Sequence, residues 1–210
     1  MDRTANRDLR LDFCRGLALI FIFVDHVPGN LAAHWTLRSC AFCDAAEVFV
    51  LISGIASYLA YAPKFERLGF VAGARAVGRR WLTIYLAHLL LFLGLAAGTA
   101  IATRHFSGAD YIAFLRFGWL FQRPREAIAA ALVLRYLPTY VDILPLYLVL
   151  LAAAPVLIVA VRRAPVIAVL GSLVLYAAAR LSGVNLIGDT DGGGWNFNPF
   201  AWQVVYVAGL

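Results

Sequence analysis

The first apolar stretch of this 210-residue chain carries Asp12, Arg15, Asp25 and His26. Ionisable groups in such a stretch are costly in lipid and mark a bundle interior or a wetted site. Arg15 and His26 are separated by ten residues. On a helix that is about 1100°, three turns plus about 20°, so both share one face about 16 Å apart along the axis. Asp8 and Asp12 fall near the same face. An imidazole can take a proton from an alcohol, and a guanidinium can hold an anion or a developing oxyanion. The stripe suits binding at Arg15 and chemistry at His26. A plainer reading stays open: Arg15 snorkels to headgroups, and a backbone carbonyl satisfies His26.

Glu47 opens the second apolar stretch, which runs antiparallel to the first, so Glu47 lies at the depth of His26. A carboxylate there can fix an imidazole's tautomer, or it can pair with Arg38. Gly54 and Tyr58 follow on the Glu47 face. Tyr140 and Asp142 open the fourth stretch, again at that depth, and are candidates for binding a polar acceptor; Asp142 can also cap its helix. His88 stands two turns beyond Arg79 and Arg80, where an anionic donor could meet all three, although a structural histidine fits equally. Cys40 and Cys43 form C-x-x-C without a thioredoxin-like surrounding. No spacing suggests a metal site, and neither a Walker loop nor a G-x-S-x-G elbow is present.

The elements that position these residues follow from composition. Hydrophobic residues make up 62% and charged ones 14%, against about half and about a quarter in a soluble domain. Mean hydropathy is +0.79. This excludes a disordered chain, a coiled coil and an ordinary soluble enzyme. It indicates an all-α, polytopic transmembrane bundle forming a single domain over residues 1–210. A span needs about 20 apolar residues. Five stretches qualify: Leu9 to Pro28, Ala45 to Ala62, Trp81 to Thr103, Tyr140 to Val161 and Ala164 to Leu186. A sixth, Pro199 to Leu210, is too short to cross, so the expectation is about five complete helices and a truncated sixth.

All but one of the 18 basic residues are arginine, Lys64 being the exception. Arg3, Arg7, Arg10 and Arg15, then Lys64 to Arg80, then Arg162 and Arg163 share one side if spans alternate. The positive-inside rule makes that side cytoplasmic, N-terminus included. The stretch 104–138 carries five arginines on the other side, but long loops weigh less. Its apolar run Ala127 to Leu134 is expected to form a short helix. The net charge of +6 reads first as topology and contact with membrane lipids. No basic stripe interleaves with aromatics, so nucleic acid is not an expected partner.

The opening Leu11-Asp12-Phe13-Cys14-Arg15-Gly16, with His26 following, resembles the acyltransferase-3 superfamily, whose first helix carries R-x10-H. Glu47-Val48-Phe49-Val50-Leu51-Ile52-Ser53-Gly54 resembles its next motif, although aspartate is more usual at the first position. Val24 to Asn30, Leu137 to Tyr147 and Asn196 to Gln203 are similar to the OpgC family, membrane proteins that succinylate periplasmic glucans. The resemblance covers essentially the whole chain and implies the N-terminal part of a roughly ten-helix fold in a bacterial inner membrane. It implies transfer of an acyl group, succinyl by resemblance alone, from cytoplasmic acyl-CoA to a glucan hydroxyl, with no tightly bound cofactor. His26 would be general base or transient acyl carrier. Arg15, with Arg79 and Arg80, would hold the donor, and Glu47 would support His26. Competing readings are a transporter or flippase, which requires paired helix breaks in two halves, and a non-catalytic membrane subunit.

Overall fold

A computed structural model describes residues 9–27, 29–106, 110–188 and 193–210. Helix α1 is Leu9–Asp25. A 3-10 turn, Leu31–Trp35, and the single-turn α2, Leu37–Cys40, lead to α3, Ala45–His105. Three short helices follow: α4 (Tyr111–Phe114), α5 (Gly118–Gln122) and α6 (Pro124–Leu132). The last three are α7 (Ile143–Arg163), α8 (Pro165–Ser182) and α9 (Pro199–Gly209). Among the described residues, extended chain pairs only at the bridge Ile187–Gly194.

Helix α3 merges two of the expected spans and corrects one expectation. The segment between Ala62 and Trp81, read as a loop from its basic residues, is helical apart from Gly69. Arginine is a good helix former, so charge alone gave no reason for the helix to stop. A straight 61-residue helix would be about 90 Å long, three times a bilayer core. Gly69 prevents this: at φ 78°, ψ 174° it adopts a conformation that favours glycine. The chain turns there, because a Cβ at Gly73 would strike the Phe65 ring, a contact that eight residues of straight helix forbid. The Phe65 and Phe70 rings lie 5.8 Å apart across the hinge.

Among the described residues, length and composition make three helices able to cross a membrane: α3, α7 and α8. Helix α1 has 17 residues, fewer than the stretch read from sequence. Helix α7 starts at Ile143, three residues later than expected, with Pro145 in its first turn, where a missing N–H costs little. Helix α8 ends before Gly183, short of the expected Leu186. The apolar run at 127–134 is largely α6.

The core lies where α3, α7, α9 and α1 meet. Phe49, Val50, Leu146, Leu150, Leu151, Ile158 and Tyr206 are buried there. A second cluster joins Phe92 to Phe117, Tyr136 and the alanines of α6. Helix α8 leaves Val166, Ile167, Leu170, Leu173 and Val174 exposed, a face suited to lipid rather than water. It is tied to α9 by a buried pair. Ser172 Oγ donates to Gln203 Oε1 at 2.7 Å, and Gln203 Nε2 donates to the Ser172 carbonyl at 2.8 Å. Ser172→Ala leaves the Gln203 oxygen without that donor. The expected cost is about 1–3 kcal/mol, checked by thermal unfolding in detergent, with Ser172→Thr as the control that keeps a hydroxyl.

Polar contacts of Trp81 and Arg162 fix α7 against α3. Trp81 Nε1 donates to the Leu148 carbonyl at 3.0 Å. At the far end of α7, Arg162 donates to the Ala62 carbonyl at 3.1 Å and pairs with Glu66 at 3.2 Å. The bundle therefore has a histidine end, where α3 and α7 begin, and an arginine end, marked by Arg162 and the Gly69 hinge.

Candidate functional site

At the histidine end the chain leaving α1 is fastened by side chains. Thr36, 2% exposed, donates from Oγ1 to Asp25 Oδ1 at 2.5 Å. Asn30 donates to the carbonyls of Val24 and Val27 and accepts from the Ala33 N–H. These bonds hold the turn that presents His26. Its Nδ1 faces the Ile22 carbonyl at 2.5 Å. A carbonyl can only accept, so Nδ1 carries a proton, and in the neutral ring the lone pair is on Nε2. The ring is exposed. An exposed imidazole with a fixed tautomer and a free Nε2 can act as a base.

The structure brings Tyr140 to His26: the rings meet edge-on, centroids 4.6 Å apart at 70°. Tyr140 sits at φ 71°, a region uncommon for a residue with a side chain. Its ring also meets Phe114. Two residues on, Asp142 makes no side-chain cap bond to α7; its Oδ2 accepts from Asn196 Nδ2 at 3.1 Å. Asp142 thus joins the segment before α9 to the start of α7. Beside it, Arg116, Leu137, Gly188, Trp195 and Asn196 line a cleft of about 160 Å³. Sequence reading missed Arg116 and Trp195, since each lies in a connecting segment with no pattern of its own.

Glu47 is placed differently from the expectation. Its Oε2 accepts from the Asp44 N–H at 3.2 Å, while Asp44 Oδ1 accepts from the N–H groups of Ala46 and Glu47. This is a capping box. Among the described residues no hydrogen bond joins Glu47 to His26, and the group that orients His26 is the Ile22 carbonyl. The D-x-x-E spacing was visible in sequence as the box. Glu47→Ala should therefore cost about 1 kcal/mol of stability, read from a denaturation midpoint, while turnover per folded molecule stays at the wild-type level.

Arg15 lies in the bundle interior. Its guanidinium carbon is 5.7 Å from the centre of the Phe49 ring and 5.9 Å from that of Tyr147, within cation–π range. Both rings stand one turn inside the first residues of α3 and α7. Arg15 is also within electrostatic reach of Tyr61, so its guanidinium sits among aromatic rings of α3 and α7. Arg79 and Arg80 are exposed on the arm of α3 beyond the hinge, and Arg80 is within electrostatic reach of Tyr61. The cleft at that end, about 690 Å³, is lined by Arg162 and Arg163 with Phe65, Glu66, Phe70 and Val159. The sequence had offered those two arginines only as markers of sidedness. His88 is 1% exposed, and neither ring nitrogen has a hydrogen-bond partner among the described residues. Cys40 and Cys43 are free thiols.

The arrangement is an exposed histidine at one end, an arginine against the Phe49 and Tyr147 rings, and a basic cleft at the other end. A family model described as OpgC protein matches residues 7–210. The chain belongs to the OpgC family. No curated protein and no solved structure matches it. OpgC membership brings a transferase with a role in glucan modification, and α3, α7 and α8 are apolar enough to place it in a membrane.

Proposed function

We propose that this OpgC-family protein is an integral O-acyltransferase of the bacterial inner membrane, its N-terminus in the cytoplasm. It transfers an acyl group, succinyl, from cytoplasmic acyl-CoA to hydroxyls of periplasmic glucans. The observation that carries the reading is His26: an exposed imidazole whose Nδ1 proton is held by the Ile22 carbonyl. A sugar hydroxyl is a poor nucleophile until a base takes its proton. Nε2 accepts that proton as the sugar oxygen forms its bond to the thioester carbon. The tetrahedral intermediate then expels the CoA sulfur, which takes the proton from Nε2. The products are a glucan ester and CoA thiol. Tyr140, Asp142 and the cleft beside Asn196 offer stacking and hydrogen-bonding surface for the acceptor. Arg162 and Arg163 join Arg79 and Arg80 as basic groups for the donor's phosphates.

A transporter is less well supported. Among the described helices the non-helical residue is Gly69, at the turn between two arms, rather than one of a pair of breaks within spans. The test is expression of the full-length protein in a strain whose glucans are unacylated, followed by mass spectrometry of the periplasmic glucans. An added acyl mass is expected. Unmodified glucan at normal protein levels would refute the reading.

A further inference from the structure

Arg15 Nε, Ser53 Oγ, Ser57 Oγ and the Tyr206 hydroxyl are buried and have no hydrogen-bond partner among the described residues. Ser53, Ser57 and Tyr206 are 0%, 2% and 0% exposed. These atoms belong to one place. Ser53 and Ser57 stand one turn apart on α3 and share a face. Between them Gly54 packs against the backbone of Tyr206. The Tyr206 hydroxyl lies close to that of Ser57, without the geometry of a hydrogen bond. Arg15 is within electrostatic reach of the Tyr206 hydroxyl, and its guanidinium lies over Phe49, one turn from Ser53.

Buried donors without acceptors cost stability, and lipid offers them none. Their persistence as a group points to a ligand. Three hydroxyls can donate, and the guanidinium adds donors and a fixed positive charge. Such a set fits an oxygen that carries negative charge. We propose that Arg15, Ser53, Ser57 and Tyr206 form an acyl-oxygen site in the bundle interior that receives the distal carboxylate of a dicarboxylic acyl group. The site deepens the acyltransferase reading and rests on it. A thioester carbonyl offers related chemistry, but it gains charge only during attack, whereas a carboxylate matches the guanidinium in the ground state.

The test uses the full chain in detergent and three probes: CoA, butyryl-CoA and succinyl-CoA. The two acyl groups have equal chain length, and only succinyl bears the distal carboxylate. Wild type should bind succinyl-CoA more tightly than butyryl-CoA by on the order of tenfold, the worth of a hydrogen bond to a charged group. Tyr206→Phe keeps the ring and its packing, and Ser57→Ala removes only a hydroxyl. Each should erase most of that preference and leave CoA affinity unchanged. If both variants instead keep wild-type binding of all three probes but lose turnover with both acyl-CoAs alike, the site holds the thioester carbonyl, and the carboxylate assignment is overturned. If both keep the wild-type preference and turnover, the site itself is overturned while the acyltransferase reading stands. If wild type binds neither acyl-CoA better than CoA and acylates nothing, that reading fails with it.

Discussion

His26→Ala is expected to lose glucan acylation while the protein accumulates in the membrane as wild type does. The expected fall in turnover is about 10²- to 10⁴-fold, the usual contribution of a positioned general base. The fold should tolerate the change. The His26 ring is exposed, and its hydrogen bond runs to the carbonyl of Ile22 one turn back in the same segment. His26→Asn sharpens the result: it can still donate toward that carbonyl but offers no basic nitrogen. Both variants should be equally inactive. An active His26→Asn would mean that the residue shapes the turn rather than moves a proton.

Gly54→Val has the second large effect, and it acts on assembly. Helices α3 and α9 touch backbone to backbone. A Cβ at Gly54 would overlap the Tyr206 carbonyl oxygen, and one at Gly209 would overlap that of Leu51. Small residues at such crossings let helices associate in a membrane. No flexible side chain can yield here, because the obstructing atoms are main chain. Overpacking of this kind costs about 1–3 kcal/mol or more, so Gly54→Val and Gly209→Val should lower the melting temperature in detergent and reduce membrane levels. Gly94→Ala and Gly98→Ala, where an added Cβ meets nothing, serve as controls and should be neutral or mildly stabilising. Normal stability of Gly54→Val would show that α9 does not pack on α3 in this way.

Much of this architecture was legible because membrane spans announce themselves by length and hydropathy. The sequence reads Tyr140 to Val161 and Ala164 to Leu186 as two spans parted at Arg162 and Arg163, and the structure, with α7 and α8 at Ile143–Arg163 and Pro165–Ser182, agrees to within a few residues at each end. The hinge was not legible. Gly69 is one of several glycines, and local composition does not say which one bends the chain; the contact of Gly73 with Phe65 does. The spacing of Arg15 and His26 identified the stripe on α1, but not the rings that Arg15 meets. Its neighbours Phe49 and Tyr147 depend on how α1 packs, a matter of tertiary structure. Glu47 shows how a local motif can be passed over. The spacing Asp44-x-x-Glu47 matches the capping box its side chain forms, whereas the sequence reading looked to His26 for its partner. Ser57 and Tyr206 escaped notice, and Ser53 entered only as part of a motif, because single hydroxyls in apolar helices usually bond to their own backbone. Only the assembled bundle leaves them unpaired.

The central claim is acyl transfer from CoA to glucan, and the direct measurement follows one label. Membranes containing the full-length protein are incubated with succinyl-CoA labelled in its succinyl carbons and with purified glucan. The expected result is alkali-labile label on the glucan, one CoA thiol released per ester formed, and neither product with His26→Ala. Release of CoA without label on glucan, or no dependence on His26, would contradict it.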